Sequence, residues 1–168
     1  MTVHIALLRA VNLGPRNRVA MSELRELAAD LGFAGAQTVL QSGNIVFRSD
    51  VTGTKLERML ETETRKRLGL ETDFIVRTAR QWNEIVAGNP FPTEAKKDPA
   101  HLLVMACKEA VTKNLKISGA RREVLRPRER EIYIYYPDGV GRSRLRVDVR
   151  GTARNWNTVL RLAALAGE

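Results

Sequence analysis

What most constrains the fold of this chain is the order in which its apolar spacing changes between residues 3 and 77. Residues 3–8, VHIALL, form a short apolar run ending at Arg9, the pattern of a buried strand. A polar loop, AVNLGPRNRVA, follows with Gly14-Pro15 as its breaker pair. From Met21 the spacing lengthens: Leu24, Leu27, Ala28 and Leu31 recur at helical intervals, with Ser22 as candidate cap and Gly32 as candidate stop. Two strand-like runs, AQTVL and IVFRS, are then separated by Gln41-Ser42-Gly43-Asn44. That is a hairpin signal, because glycine supplies the positive φ a tight turn needs. Thr54 is the candidate cap of a helix reaching Leu68, with Leu56, Met59, Leu60, Thr64 and Leu68 on one face and Gly69 closing it. TDFIVR reads as a further strand. The order is β-α-β-β-α-β, the plan of a ferredoxin-like (α-β plait) sandwich.

The second half repeats the opening in part. A short helix over residues 79–87 precedes Gly88-Asn89-Pro90-Phe91-Pro92, and the polar stretch Thr93 to Pro99 reads as a linker. HLLVMAC then echoes HIALL, a histidine followed at once by an apolar strand. A helix near 109–117, a strand near 122–126 and the strand EIYIYY give β-α-β-β again, which is either an internal duplication or the chance likeness of two buried strands. Beyond the turn at 136–141, Leu145, Val147 and Val149 alternate with Arg144, Arg146, Asp148 and Arg150, which predicts a strand with one apolar and one charged face. Thr152 is the candidate cap of a last helix over 154–166, with Trp156, Val159, Leu160 and Ala163 as its buried stripe. Its polar edge would hold Arg154, Asn157, Thr158 and Arg161.

Composition narrows the class. The chain has 168 residues, 43% of them hydrophobic, which is too apolar for disorder. A single cysteine, Cys107, excludes an internal disulfide and any multi-cysteine metal site, and suits a reducing cytoplasm. No apolar run approaches the ~20 residues that span a bilayer. The opening MTVHIALLRAVN lacks the features of a secretory signal. The expectation is a soluble cytoplasmic protein with no cofactor, metal or membrane partner, a monomer or a homodimer through sheet edges that such plaits leave open. Charge is the remaining signal. The net is +9, 21 of the 28 basic residues are arginine, and residues 117–168 hold eleven basic against six acidic side chains. Arginine offers a planar fork that matches phosphate and carboxylate, so anionic partners follow; the plainer reading is an arginine-rich, solvated surface.

Three stretches, ALLRAVNLG, LQSGNIVF and GTARNWNTVLRL, together resemble a bacterial family catalogued as domain of unknown function 1697. The resemblance runs in this order over nearly the whole chain and implies architecture, not chemistry. It implies an α+β protein of two consecutive ferredoxin-like subdomains, residues 1–92 and residues 98–168, the second carrying a C-terminal helix. The positions it marks are Arg9, Asn12, Gly14, Gln41, Ser42, Gly43, Asn44, Arg154, Asn155, Trp156, Asn157 and Thr158, with Gly139-Val140-Gly141-Arg142-Ser143 also similar. The segment after Ser143 is shorter than the resemblance implies, so the second plait is either complete or short of an element.

Each marked string couples carboxamides with glycine or arginine, the groups that hold polar ligands by directed hydrogen bonds. The leading expectation is therefore a small anionic ligand bound by Arg9, Asn12, Gly14, Gln41, Ser42, Gly43, Asn44, Arg154, Asn155 and Asn157. Against it stands ordinary turn and cap chemistry at the same residues. A second reading is a nucleic-acid-binding module using Arg142, Arg144, Arg146 and Arg150, three of the arginines in this region sitting on one face of the predicted strand about 7 Å apart along it. A third is a small cofactor-free enzyme. His4 and His101 open two strands, and no phosphate loop, dinucleotide fingerprint, nucleophile elbow or zinc helix occurs.

Overall fold

A computed structural model describes residues 1–11, 18–39 and 42–167. It is mixed α+β with antiparallel sheets, and it divides into two compact units, Met1–Glu84 with Leu162–Glu168, and Ile85–Arg161.

In the first unit the elements are β1 (Thr2–Leu8), α1 (Met21–Asp30), β2 (Ala34–Val39), β3 (Asn44–Ser49), α2 (Gly53–Leu68) and β4 (Phe74–Thr78). The strands form one antiparallel sheet in the order β2-β3-β1-β4, with His4 opposite Phe47 and Ala6 between Ile45 and Val76. The apolar stripes predicted from helical spacing do the burying. Leu24, Leu27 and Ala28 of α1 and Leu56 and Leu60 of α2 join Ala6, Leu8, Ile45, Phe47, Phe74 and Val76 in one core, where Phe33 stacks on Phe47 at 4.8 Å. Full burial of each large side chain is worth about 1.5–3 kcal/mol. Both helices start a residue or more before the predicted caps. At α1 the N-cap is Ala20, whose N–H donates to the Glu23 carboxylate at 3.1 Å; α2 follows Thr52, leaving Ser22 and Thr54 inside their helices. Gly69 ends α2 in the left-handed conformation, as glycine allows.

The β4 border of this sheet is closed by side chains. Alternate N–H groups of the strand, at Phe74, Val76 and Thr78, donate to Glu61, Glu57 and Gln81 at 2.8, 2.9 and 2.9 Å. The donors that an edge strand normally leaves open are satisfied here.

From Thr78 the chain enters α3 (Ala79–Ala87), so the two units divide within that helix, upstream of the breaker-rich stretch 88–99. That stretch is not a linker. Pro92 sits at the first position of a helix, α4 (Pro92–Lys97), where its missing N–H costs nothing, and Lys96 and Lys97 lie in the last turn, favoured by the helix dipole. A 3-10 turn at Pro99–His101 leads into β5 (Leu102–Cys107). Then come β6 (Ile117–Ser118), β7 (Val124–Pro127), β8 (Glu131–Tyr135), a 3-10 turn at Val140–Arg142, β9 (Arg146–Val147), β10 (Gly151–Asn155) and α5 (Trp156–Ala166). The sheet order is β10-β5-β8-β7, antiparallel throughout, and β6 pairs only with β9.

Further expectations fail in the second unit. No helix forms over 109–117, because the backbone there bonds sideways: Lys108 N–H donates to Arg150 O and Val111 N–H to Glu129 O, both at 2.8 Å. The predicted strand over 144–150 pairs only at Arg146–Val147, although its alternation of half-buried and exposed residues holds throughout. Thr152 lies in β10 and caps nothing. The cap of α5 is Asn155, whose Oδ1 accepts from Thr158 N–H at 3.0 Å. The helix starts at Trp156 and buries Val159, Leu162 and Ala166, whereas Leu160, assigned to the stripe from spacing, is 44% exposed.

Candidate functional site

The marked residues of the first unit hold backbone in place. Arg9 follows β1, where its N–H donates to Asp73 O at 3.0 Å and its carbonyl accepts from Thr72 Oγ1 at 2.7 Å. Its guanidinium meets the Asp73 carboxylate at 3.4 Å, so the side chain repeats a connection the backbone already makes. Asn44 is fully buried and donates through Nδ2 to Val39 O at 2.7 Å and Ser42 Oγ at 3.0 Å, bridging the hairpin from inside. Gly43 has φ +83°, and a Cβ there would stand 2.7 Å from Val11 Cγ2 and 2.9 Å from Leu8 Cβ. Glycine is required by both conformation and space. Asn12, Gly14 and Gln41 lie outside the described residues.

In the second unit Arg154 is 8% exposed and donates through Nη1 to Thr152 Oγ1 at 2.6 Å and Ala153 O at 2.9 Å. Burial pushes its guanidinium down to about 10, still protonated at neutral pH. Asn155 is spent on the α5 cap, and Asn157 is exposed on the first turn of that helix. The polar strings thus do the local work that turn and cap chemistry predicts at Asn44, Gly43 and Asn155.

Aromatic groups of this unit are also engaged. Tyr133 OH donates to Ile85 O at 2.6 Å, and burial pushes its phenol up to about 12. Tyr135 OH donates to Asp98 Oδ2 at 2.8 Å, and the same oxygen lies 3.0 Å from His101 Nδ1. The Asp98–His101–Tyr135 cluster is invisible in sequence, since its members are brought together by β5 pairing with β8. Among the described residues, no cluster of three or more His, Cys, Asp or Glu side chains could hold a metal ion.

One surface does present unspent chemistry. Cys107, Ile132, Ile134 and Tyr136 form a core covered by Val111, Leu115, Leu145, Val147 and Val149, which come from the two segments flanking and containing β6 and β9. The outward residues of those segments are exposed: Lys113 and Lys116 on one, Arg142, Arg144 and Arg146 on the other. Among the described residues none of these five side chains has a hydrogen-bond or ion-pair partner. Arg150, predicted with them, instead pairs with Glu109 at 2.8 Å, and Arg122 with Asp138 at 2.5 Å. Lys113 and Lys116 were hidden by the expected helix; the signal against that helix is its Thr112-Lys113-Asn114 run and the Ser118-Gly119 pair.

Two grooves open on this cover. One of ≈ 610 Å³ runs along the ribbon between Lys116, Ile117, Ser118, Arg146, Val147 and Asp148. The other, of ≈ 320 Å³, adjoins it at Lys116 and Asp148 and reaches Thr112, Asn114 and Arg150. Gly119 holds the cover together. It has φ +72°, and a Cβ on it would fall 2.1 Å from the carbonyl oxygen of Arg144, so the two segments touch through bare backbone.

The family described as protein of unknown function (DUF1697) matches residues 1–133. No curated protein matches the chain. Among solved structures, a conserved bacterial protein from Streptococcus pneumoniae, SP0830, is 20% identical, with 98% of each chain covered and a TM-score of 0.75, a likeness of fold. No helix of the described residues is long and apolar enough to cross a membrane.

Proposed function

Because the chain belongs to the DUF1697 family, whose description names no activity, its function has to be read from its own surface, and we propose that it binds polyanions through the cationic cover of its second unit. The observation that carries this is the unpartnered set Lys113, Lys116, Arg142, Arg144 and Arg146, exposed on one layer, against Asp148 in the row and Glu123, whose carboxylate accepts from Ser143 Oγ beside it. Cations that serve stability are paired, as Arg122 and Arg150 are. Five unpaired ones on one layer repel each other, and a multivalent anion relieves that repulsion. A smaller anionic ligand would have the groove at Thr112, Asn114 and Lys116 to occupy, a place that none of the described residues of the carboxamide strings lines.

The same reading takes the first unit as a ferredoxin-like plait, supported by its β-α-β-β-α-β order and β2-β3-β1-β4 sheet. It takes the second as a plait short of its first helix. A buried free Cys107 suits a reducing cytoplasm.

Retention on immobilised heparin tests the proposal. The chain is expected to elute well above the salt needed for the R144Q/R146Q variant. Equal elution of the two sinks the polyanion reading, and a thermal shift with inorganic phosphate or a nucleotide that survives in R144Q/R146Q would move it to the smaller groove.

A further inference from the structure

Resting on the polyanion reading, we infer that the occupant of the cationic cover is double-stranded DNA, gripped through its phosphates without readout of bases. The cover carries no stacking platform for bases. Single-stranded nucleic acid is held largely by bases stacked on aromatic rings, worth about 1–3 kcal/mol each. Residues 108–123 and 140–150 contain no Phe, Tyr or Trp. The tyrosines of the unit are committed: Tyr133 to Ile85, Tyr135 to Asp98, and Tyr136 to the core beneath the cover. A single strand would gain charge contacts here and nothing else, while having to order itself.

Nor does the cover reach base edges. Base-edge readout needs a helix or a projecting ribbon in a major groove ~12 Å wide and ~8.5 Å deep. The cover offers a ribbon whose strands are Ile117–Ser118 and Arg146–Val147, two residues each, lying flat because Val147 packs downward. Long guanidinium and ammonium side chains from such a layer reach the outer phosphates and stop there.

From Arg144 to Arg146 an extended chain advances ~6.7 Å, close to the ~7 Å between successive phosphates along one backbone. The phosphates of a duplex are already set at that interval. Recognition of RNA turns on its 2′-hydroxyls. Within the arginine row the hydroxyl of Ser143 is occupied, donating to Glu123 Oε1 at 2.7 Å and accepting from Leu145 N–H at 3.1 Å, while the exposed hydroxyls of the cover, Thr112 and Ser118, lie on the other segment.

The test is fluorescence anisotropy with a labelled 20-base-pair DNA duplex of mixed sequence, its scrambled version, one of its single strands, the equivalent RNA duplex and unlabelled heparin as competitor. With five phosphates neutralised the log–log salt slope on the DNA duplex is expected near −4.5, about a 500-fold loss of affinity between 50 and 200 mM salt. In R142Q/R144Q/R146Q, checked for an unchanged melting temperature, the slope should fall to about −1.8. The scrambled duplex should bind within twofold, and the single strand and the RNA duplex at least tenfold more weakly. Heparin bound with the expected sensitivity to R144Q/R146Q, alongside a single strand or RNA duplex binding as tightly as the DNA duplex, overturns this inference and leaves the polyanion reading standing. Heparin and duplex both binding the triple variant as they bind the parent overturns both.

Discussion

Replacing Asn44 by alanine separates a ligand-binding carboxamide from a structural one. The side chain is fully buried at the start of β3, and its Nδ2 is shared between Val39 O and Ser42 Oγ. Alanine removes at least these two hydrogen bonds, each worth about 0.5–1.5 kcal/mol net, and takes a donor from the buried Val39 carbonyl, a further cost of about 1 kcal/mol or more. The sum is about 2–4 kcal/mol. For a chain of this size each kcal/mol moves the melting temperature by about 2–4 °C, so N44A should melt roughly 5–15 °C below the parent. N44D should fare no better, since a carboxylate cannot donate to Val39 O and faces that carbonyl with its own lone pairs. Differential scanning calorimetry reads the shift, and the heparin elution of N44A should match the parent at a temperature where both are folded. A melting temperature within about 2 °C of the parent, together with lost heparin retention, would refute the reasoning and return Asn44 to a binding role.

Two further outcomes follow from buried titratable groups. His4 is fully buried, neither ring nitrogen makes a hydrogen bond of good geometry, and burial holds its imidazole below 6.5, with the Ser49 backbone offsetting only part. The unfolded chain therefore takes up the proton first, so stability is complete above about pH 6.5 and is lost as pH falls below it. Urea midpoints at pH 7.5 and 5.0 should differ more for the parent than for H4F; identical pH dependence would dismiss His4 as the cause. Tyr133 titrates in the opposite sense. With its phenol raised to about 12, the folded chain keeps a proton that the unfolded chain releases near 10, so stability drains away between those values. Y133F should lose about 1–2 kcal/mol at neutral pH, from the bond to Ile85 O, and show a shallower decline above pH 10.

The first unit was readable because each of its elements carries its own signal. Leu24, Leu27 and Ala28, or Leu56 and Leu60, announce a helix and its buried face at once, and Gly43 and Gly69 announce a turn and a stop. The second unit was not, because its cover segments obtain their order from elsewhere. Val111 and Leu115 stand four residues apart, as a helix would place them, yet both pack on the core below and the Val111 N–H is bonded to Glu129 O, eighteen residues on. Local spacing cannot report a partner twenty residues away. The same limit applied to the candidate site. The carboxamide strings were conspicuous in sequence and proved to bind their own backbone at Asn44 and Asn155, whereas Lys113 and Lys116, inconspicuous within a supposed helix, join Arg142, Arg144 and Arg146 once the chain folds. Which of two cations is paired is a fact of tertiary structure: Glu109 reaches Arg150 and not Arg146.

Gly119 gives that arrangement an unexpected controller. The residue bears neither charge nor side chain, yet its hydrogen atom is all that fits between its own α-carbon and the carbonyl of Arg144. Any larger substituent must wedge the two strips of chain apart, tilting a whole row of guanidinium groups without altering a single one of them. The pitch of the positive comb is thus set by a residue with no side chain, and its charge pattern can be retuned at a position that carries no charge.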